Sequence, residues 1–209
     1  MLKRAAAGGV FLAMVLACGG GGPDEAGVGD RPDGVAAKGS PVGPYATSMA
    51  QHFASQNPAL PCPTYAVGEA FSILDFSGRI DKVELLPTDA GGHALGITAS
   101  WRNDTPMKST EMLDWEVYGS DGEKGKWIIS SESNRFREAR GIVPGDNSYP
   151  PNKWVQSGSM ARVDASAADG AVIYVFYSVE EFDPTDPKGR RKIKVLKGHA
   201  VVDVGVPAQ

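Results

Sequence analysis

Histidine is scarce in this chain of 209 residues: there are three, at positions 52, 93 and 199. Nothing in their spacing brings them together, and no His-Glu-x-x-His pair is present, so the sequence carries no zinc-protease signature. A Gly-x-Ser-x-Gly elbow, a phosphate loop and a dinucleotide fingerprint are also missing. Enzymes that rely on those four motifs are thereby disfavoured. A Ser-His-Asp set assembled only in space stays open. Cysteine is scarcer still, with two residues, Cys18 and Cys62. Cys62 lies between Pro61 and Pro63, neither of which can donate a backbone hydrogen bond. No base or cation beside it in sequence activates the thiol, which reads as a small, partly buried side chain. No apolar run reaches the roughly 20 residues a membrane-crossing helix needs. Positive charge is not in excess either. The formal net charge is −4, which gives no electrostatic reason to bind nucleic acid or anionic head groups.

The first residues are an address. Lys3 and Arg4 precede an apolar stretch, Ala5 to Leu16, which ends in Val15-Leu16-Ala17-Cys18. Charge, apolar run, small residues and Cys fall in the order of a bacterial lipobox. On that reading residues 1–17 are a lipoprotein signal peptide and Cys18 is the acylated new N-terminus. Several acyl chains, at about 0.8 kcal/mol per buried CH₂, would hold the protein firmly on a membrane. Gly19, where an inner-membrane retention signal would have Asp, favours the outer membrane if the cell has one. Cleavage removes two cations and no acid, taking the net charge from −4 to −6. With Cys18 lipidated, Cys62 has no disulfide partner. Residues 19 to about 44 hold Gly, Pro, Asp and Ala without apolar periodicity, and read as a flexible tether. Tyr45 to Asn57 has the spacing of a short helix ending before Pro58, so the expected organisation is signal peptide 1–17, lipidated tether with this helix 18–64, and a domain over 65–209.

That domain reads as β throughout. Leu95, Ile97, Ala99 and Trp101 share one parity, and Leu113, Trp115 and Val117 repeat the pattern after a polar break. Ala70–Leu74 and Ile80–Leu86 are expected strands on either side of Ser77-Gly78. Lys126–Ile129 is expected to pair back across the Asp121-Gly122 turn. Ser130–Arg140 reads as a loop or edge segment plugged by Phe136. Trp154–Val163, Ala171–Tyr177 and Lys192–Val206 complete the set. Short strands about ten residues apart predict an all-β, antiparallel sandwich.

Val67-Gly68-Glu69, Ile80-Asp81-Lys82-Val83-Glu84, Trp101-Arg102-Asn103-Asp104-Thr105-Pro106 and Tyr118-Gly119-Ser120-Asp121-Gly122-Glu123 occur in an order and spacing that resemble the immunoglobulin-like, telokin-like domains of secreted bacterial lipoproteins. The resemblance covers about residues 65–206. It implies a sandwich of about seven strands behind a lipobox and tether, and no particular activity.

Candidate chemistry is sparse. The acids Glu180, Glu181, Asp183 and Asp186 lack the spacing of a calcium loop and sit before Lys188, Arg190, Arg191 and Lys192, so they read as opposing charges around one exposed hairpin. No catalytic residue, metal ligand or cofactor is assigned. The candidate partner-binding residues are Tyr149 and Trp154, which flank a rigid Pro150-Pro151. Either these aromatics are exposed anchors, or Trp154 opens a strand and packs inward while Tyr149 lids the sandwich. The expected function is a non-catalytic, envelope-anchored module binding a protein or envelope partner. The alternative is a hydrolase or other ligand-processing enzyme on the same scaffold. A cleft with convergent polar groups would favour the second.

Overall fold

The computed structural model of the chain describes residues 42–109, 112–142, 149–188 and 190–208. The expected signal peptide, Cys18 and the expected tether up to residue 41 lie outside the described residues, as do residues 143–148. In chain order the elements are α1 (Pro44–Gln56), β1 (Thr64–Ala66), β2 (Ala70–Ile73), β3 (Phe76–Pro87), β4 (His93–Asn103), β5 (Asp114–Tyr118), β6 (Lys126–Trp127), α2 (Ser131–Glu138), β7 (Trp154–Arg162), β8 (Ala171–Phe182) and β9 (Lys192–Gly205).

Alternation along the strands is what forces two layers. One sheet has the order β2-β3-β4-β7-β6 and the other β1-β9-β8-β5. Between them lie Leu95, Ile97, Ala99 and Trp101 of β4, opposed by Ile173 and Val175 of β8 and Val202 of β9, all at most 2% exposed. Leu113 and Val117 join the same core, as their parity requires. The chain is thus a β-sandwich. Gly78 faces this core opposite Trp101; a Cβ there would lie 2.7 Å from the rings of Phe71 and Trp101, so only glycine permits their edge-to-face contact.

Sandwich strands of this kind usually keep one face wet, yet β8 reads Ala-Val-Ile-Tyr-Val-Phe-Tyr without a polar break. The reason is α1. Its Ala46, Ala50 and Phe53 dock on Val172, Tyr174 and Val201, the outer face of the β9-β8 pair, so β8 is covered on both sides. Phe53 stacks on Tyr174 at 3.8 Å between centroids. Pro44 at the first turn and Asn57 before Pro58 bound the helix as the sequence implies. Two hydrogen bonds tie its start down, Gly43 N to Asp203 Oδ2 and the Tyr45 hydroxyl to the Gly119 carbonyl.

Several expectations need correction. The β2–β3 turn is Leu74-Asp75, with Leu74 at φ 53°, and Ser77-Gly78 lies inside β3. The Asp121-Gly122 turn forms and Gly125 N still bonds Val117 O, but Lys126-Trp127 then crosses to the other sheet and pairs with β7 instead of β5. The sheets are antiparallel except for β1, which runs parallel to β9. Most of Ser130–Arg140 is helical: α2 has a capped start, the Ser130 side chain accepting from Glu132 N. Phe136 is its plug, as expected, but what it plugs is the outer face of the five-stranded sheet. There it packs with Ala94 and Met160 over the gaps left by Gly96 and Gly158. Arg140 lies 3.8 Å from the Phe136 centroid and pairs with Glu84 of β3, fastening the helix to the sheet.

Candidate functional site: the Trp154 face

Helix α2 covers only half of the outer face of the five-stranded sheet. On the other half most outward positions of the strands are polar. Two of the strands hold the same pattern: Ser77-Gly78-Arg79-Ile80-Asp81 on β3 and Ser100-Trp101-Arg102-Asn103-Asp104 at the end of β4, with Asp104 just beyond it, each Ser-x-Arg-x-Asp. The strands are antiparallel, with Gly78 opposite Trp101, so Ser77 faces Arg102 and Ser100 faces Arg79. Each carboxylate therefore serves both strands. Asp81 accepts from Arg79 Nε at 2.6 Å and from the Ser100 hydroxyl at 2.5 Å. Asp104 accepts from Arg102 Nε and from the Ser77 hydroxyl at 2.5 Å. Asp81 is the extra residue of a β-bulge between Ile80 and Lys82, which is what turns its carboxylate toward this face.

Trp154, opposite Arg102 on β7, stands over this array. Its ring centroid is 5.0 Å from the Arg102 guanidinium carbon and 5.7 Å from that of Arg79. Such placement favours each cation over the electron-rich ring. The tryptophan is nevertheless 39% exposed. The carboxylates are less exposed than their arginines, 14% against 33% and 28% against 36%, so the ion pairs are partly sheltered and fixed from two sides. Ser72 of β2 extends the row, its hydroxyl 3.1 Å from that of Ser77. The result is a rigid, charge-balanced platform carrying one exposed aromatic ring.

Of the two residues singled out in the sequence, Trp154 opens its strand as expected but does not turn inward; it faces out. Tyr149 is half-buried and packs against the intersheet core. Burial raises its phenol above the ordinary value. Its backbone pairs with Ser109 in both directions, and its carbonyl accepts from Asn103 Nδ2. Asn103 is fully buried and satisfied, donating also to Met107 O and accepting from Thr105, so it locks the β4 exit to the Tyr149 segment. Tyr149 is thus placed as a lid, and Trp154 as a surface ring. Arg79, Asp81, Arg102 and Asp104 escaped the sequence reading. The duplicated Ser-x-Arg-x-Asp was the available signal, on strands whose other parity is core.

The remaining candidates disperse. Glu180 pairs with Lys192, Asp183 with Arg191 and Glu181 with Lys197, so the acids and bases at the β8–β9 end do oppose each other. His52 lies on α1, His93 opens β4 and His199 is in β9. His199 is buried, its Nε2 3.3 Å from the Leu60 carbonyl and its Nδ1 3.0 Å from the Tyr174 hydroxyl. The carbonyl can only accept, so Nε2 donates to it, and Nδ1 shares its hydrogen bond with the tyrosine hydroxyl. Burial pushes the Cys62 thiol up to about 11, the direction of an inert thiol. A cleft of about 650 Å³ at one end of the sandwich is bordered by His93, Asp121, Lys126, Arg162 and Asp164; its lining has acid–base groups but no Ser or Cys nucleophile.

No protein-family model matches the chain, and no curated protein matches it. Solved structures similar to it include a conserved hypothetical protein from Bacillus anthracis, at 10% identity over 63% of this chain and 94% of that one, with a TM-score of 0.43. The yjhA protein from Bacillus subtilis is 12% identical over 67% of this chain and 99% of that one, TM-score 0.45. An uncharacterized β-sandwich protein from Clostridium difficile 630 is 14% identical over 69% and 95%, TM-score 0.40.

Proposed function

We propose that this chain is a lipid-anchored, non-catalytic binding protein of the cell envelope. Cys18 carries the lipid, the Gly/Pro-rich segment after it is the tether, and the β-sandwich offers its Trp154 face to a protein or other envelope partner. The lipobox pattern and the resemblance to immunoglobulin-like lipoprotein domains support the location. One observation carries the binding reading: a large aromatic ring left 39% exposed on a sheet face whose polar groups are fixed by reciprocal ion pairs. Aromatic anchors on rigid supports are the usual centres of recognition, and a ring needed only for folding gains nothing from that exposure.

The test is Trp154→Ala in the full-length protein. The ring contacts two guanidiniums, at about 0.5–1 kcal/mol each, so its loss should lower unfolding free energy by about 1–2 kcal/mol and leave the domain folded. Crosslinking in intact envelopes should lose the adduct that the unaltered protein forms. An identical adduct pattern in both proteins would remove the Trp154 face from the function.

A further inference from the structure

The geometry points to an uncharged glycan chain as the ligand of the Trp154 face. This inference rests on the reading of that face as the binding surface, and adds the chemistry of what binds.

Charge is the first argument. Arg79 and Arg102 supply two positive charges, and Asp81 and Asp104 return two negative ones at hydrogen-bond distance. A polyanion drawn by the guanidiniums meets the carboxylates beside them, and a polycation meets the reverse. Charge complementarity therefore selects a ligand with no net charge. Hydrogen-bonding capacity is the second. Each arginine commits Nε to its aspartate and is still a third exposed, leaving other N–H donors open to solvent. The carboxylates keep further lone pairs, and exposed Ser72 and Gln156 lie in the same two cross-strand rows as the buried Ser77 and Ser100, whose hydroxyls are committed to the aspartates. Closely spaced donors and acceptors, alternating over a few ångströms, match hydroxyl groups, each of which both donates and accepts. The third argument is the ring. An indole face binds the C–H face of a pyranose by dispersion and by its negative quadrupole, without needing charge. The groups around Trp154 are polar and already fixed, so they need not reorganise on binding. A protein partner would use apolar neighbours, and exposed Leu74 and Met107 on nearby turns make it the competing outcome.

The experiment uses the full-length chain in mild detergent. Retention is measured on cellulose, chitin and cross-linked dextran as neutral glycans, and on heparin and polygalacturonate as anionic ones, at 50 and 500 mM salt. The expected result is retention on a neutral glycan that changes less than about twofold between the two salts. Trp154→Ala should weaken it at least tenfold, while Trp154→Phe, which keeps a flat ring, should recover most of it. Circular dichroism of each variant confirms that the sheet is intact. Retention on the anionic glycans alone, falling steeply with salt, would overturn the inference, as would no retention on any neutral glycan. If no glycan is retained but Trp154→Ala still loses its envelope crosslink, the glycan inference fails and the binding reading stands. If Trp154→Ala changes neither, both fail.

Discussion

Gly96→Ala is the sharpest probe of how α2 is held. A Cβ at Gly96 would lie 2.5 Å from Phe136 Cε2 and 2.6 Å from Leu86 Cδ1. The ring has little room to retreat. Arg140 lies 3.8 Å from its centroid, and at the neighbouring Gly158 a Cβ would lie 3.1 Å from Phe136 Cε1. One added methyl therefore overpacks the contact, with an expected loss of about 1–3 kcal/mol. For a chain of this size that lowers the thermal midpoint by roughly 2–12 °C. In a Phe136→Ala background, itself costing about 3–5 kcal/mol, the ring is gone and only the Leu86 methyl, the free end of a flexible side chain, must turn aside. The cost of the same Gly96→Ala change is then offset by the about 0.5–1 kcal/mol gained from removing the conformational freedom of a strand glycine. The loss should thus be much smaller in the Phe136→Ala background. Urea midpoints of the four proteins in the cycle measure it. Gly96→Ala that is neutral in the unaltered protein, or equally costly in both backgrounds, would refute the seating of Phe136 over Gly96.

Three further outcomes are expected. His199→Ala should lower unfolding free energy by about 2–4 kcal/mol, since it empties a buried site and strands the Tyr174 hydroxyl and the Leu60 carbonyl; denaturant titration measures it, and a loss below about 1 kcal/mol would contradict the placement. Cys62, with its thiol pushed up to about 11, should react with iodoacetamide at pH 8 at least tenfold more slowly in the folded chain than in urea. Because folding disfavours its thiolate, the associated stability is complete below about pH 9 and lost as pH rises through about 11, so urea midpoints should fall over that window and fall less in Cys62→Ala. Cys18→Ser should leave the protein soluble or as uncleaved precursor in fractionated cells, and normal processing with tight membrane association would rule out the lipid anchor.

Alternation in the sequence by itself determined the β class, the inward parity of Trp101, Leu113 and Val117, and the positions of most strands, because side-chain direction in a strand follows from residue parity alone. The bounds of α1 were also legible to within a residue, since the Met49/Phe53 spacing and Pro58 act locally. Partner choice was not. Lys126-Trp127 follows a hairpin turn yet pairs with β7, and β1 runs parallel to β9; such pairings join segments distant in sequence and have no local signal. The helix at Ser131–Glu138 was hidden because its polar composition gives no stripe, and its single buried Phe136 finds a seat only through Gly96 and Gly158 on other strands. The fates of Tyr149 and Trp154 were decided the same way. Tyr149 is drawn inward by Asn103 and Ser109, and Trp154 is directed outward by the β4–β7 register. The duplicated Ser-x-Arg-x-Asp lay in plain view as residues, but only antiparallel pairing about Gly78 and Trp101 crosses each serine to the other strand's aspartate. A charge-balanced platform is a property of that register, and a one-residue slip of either strand would turn that strand's arginine into the core.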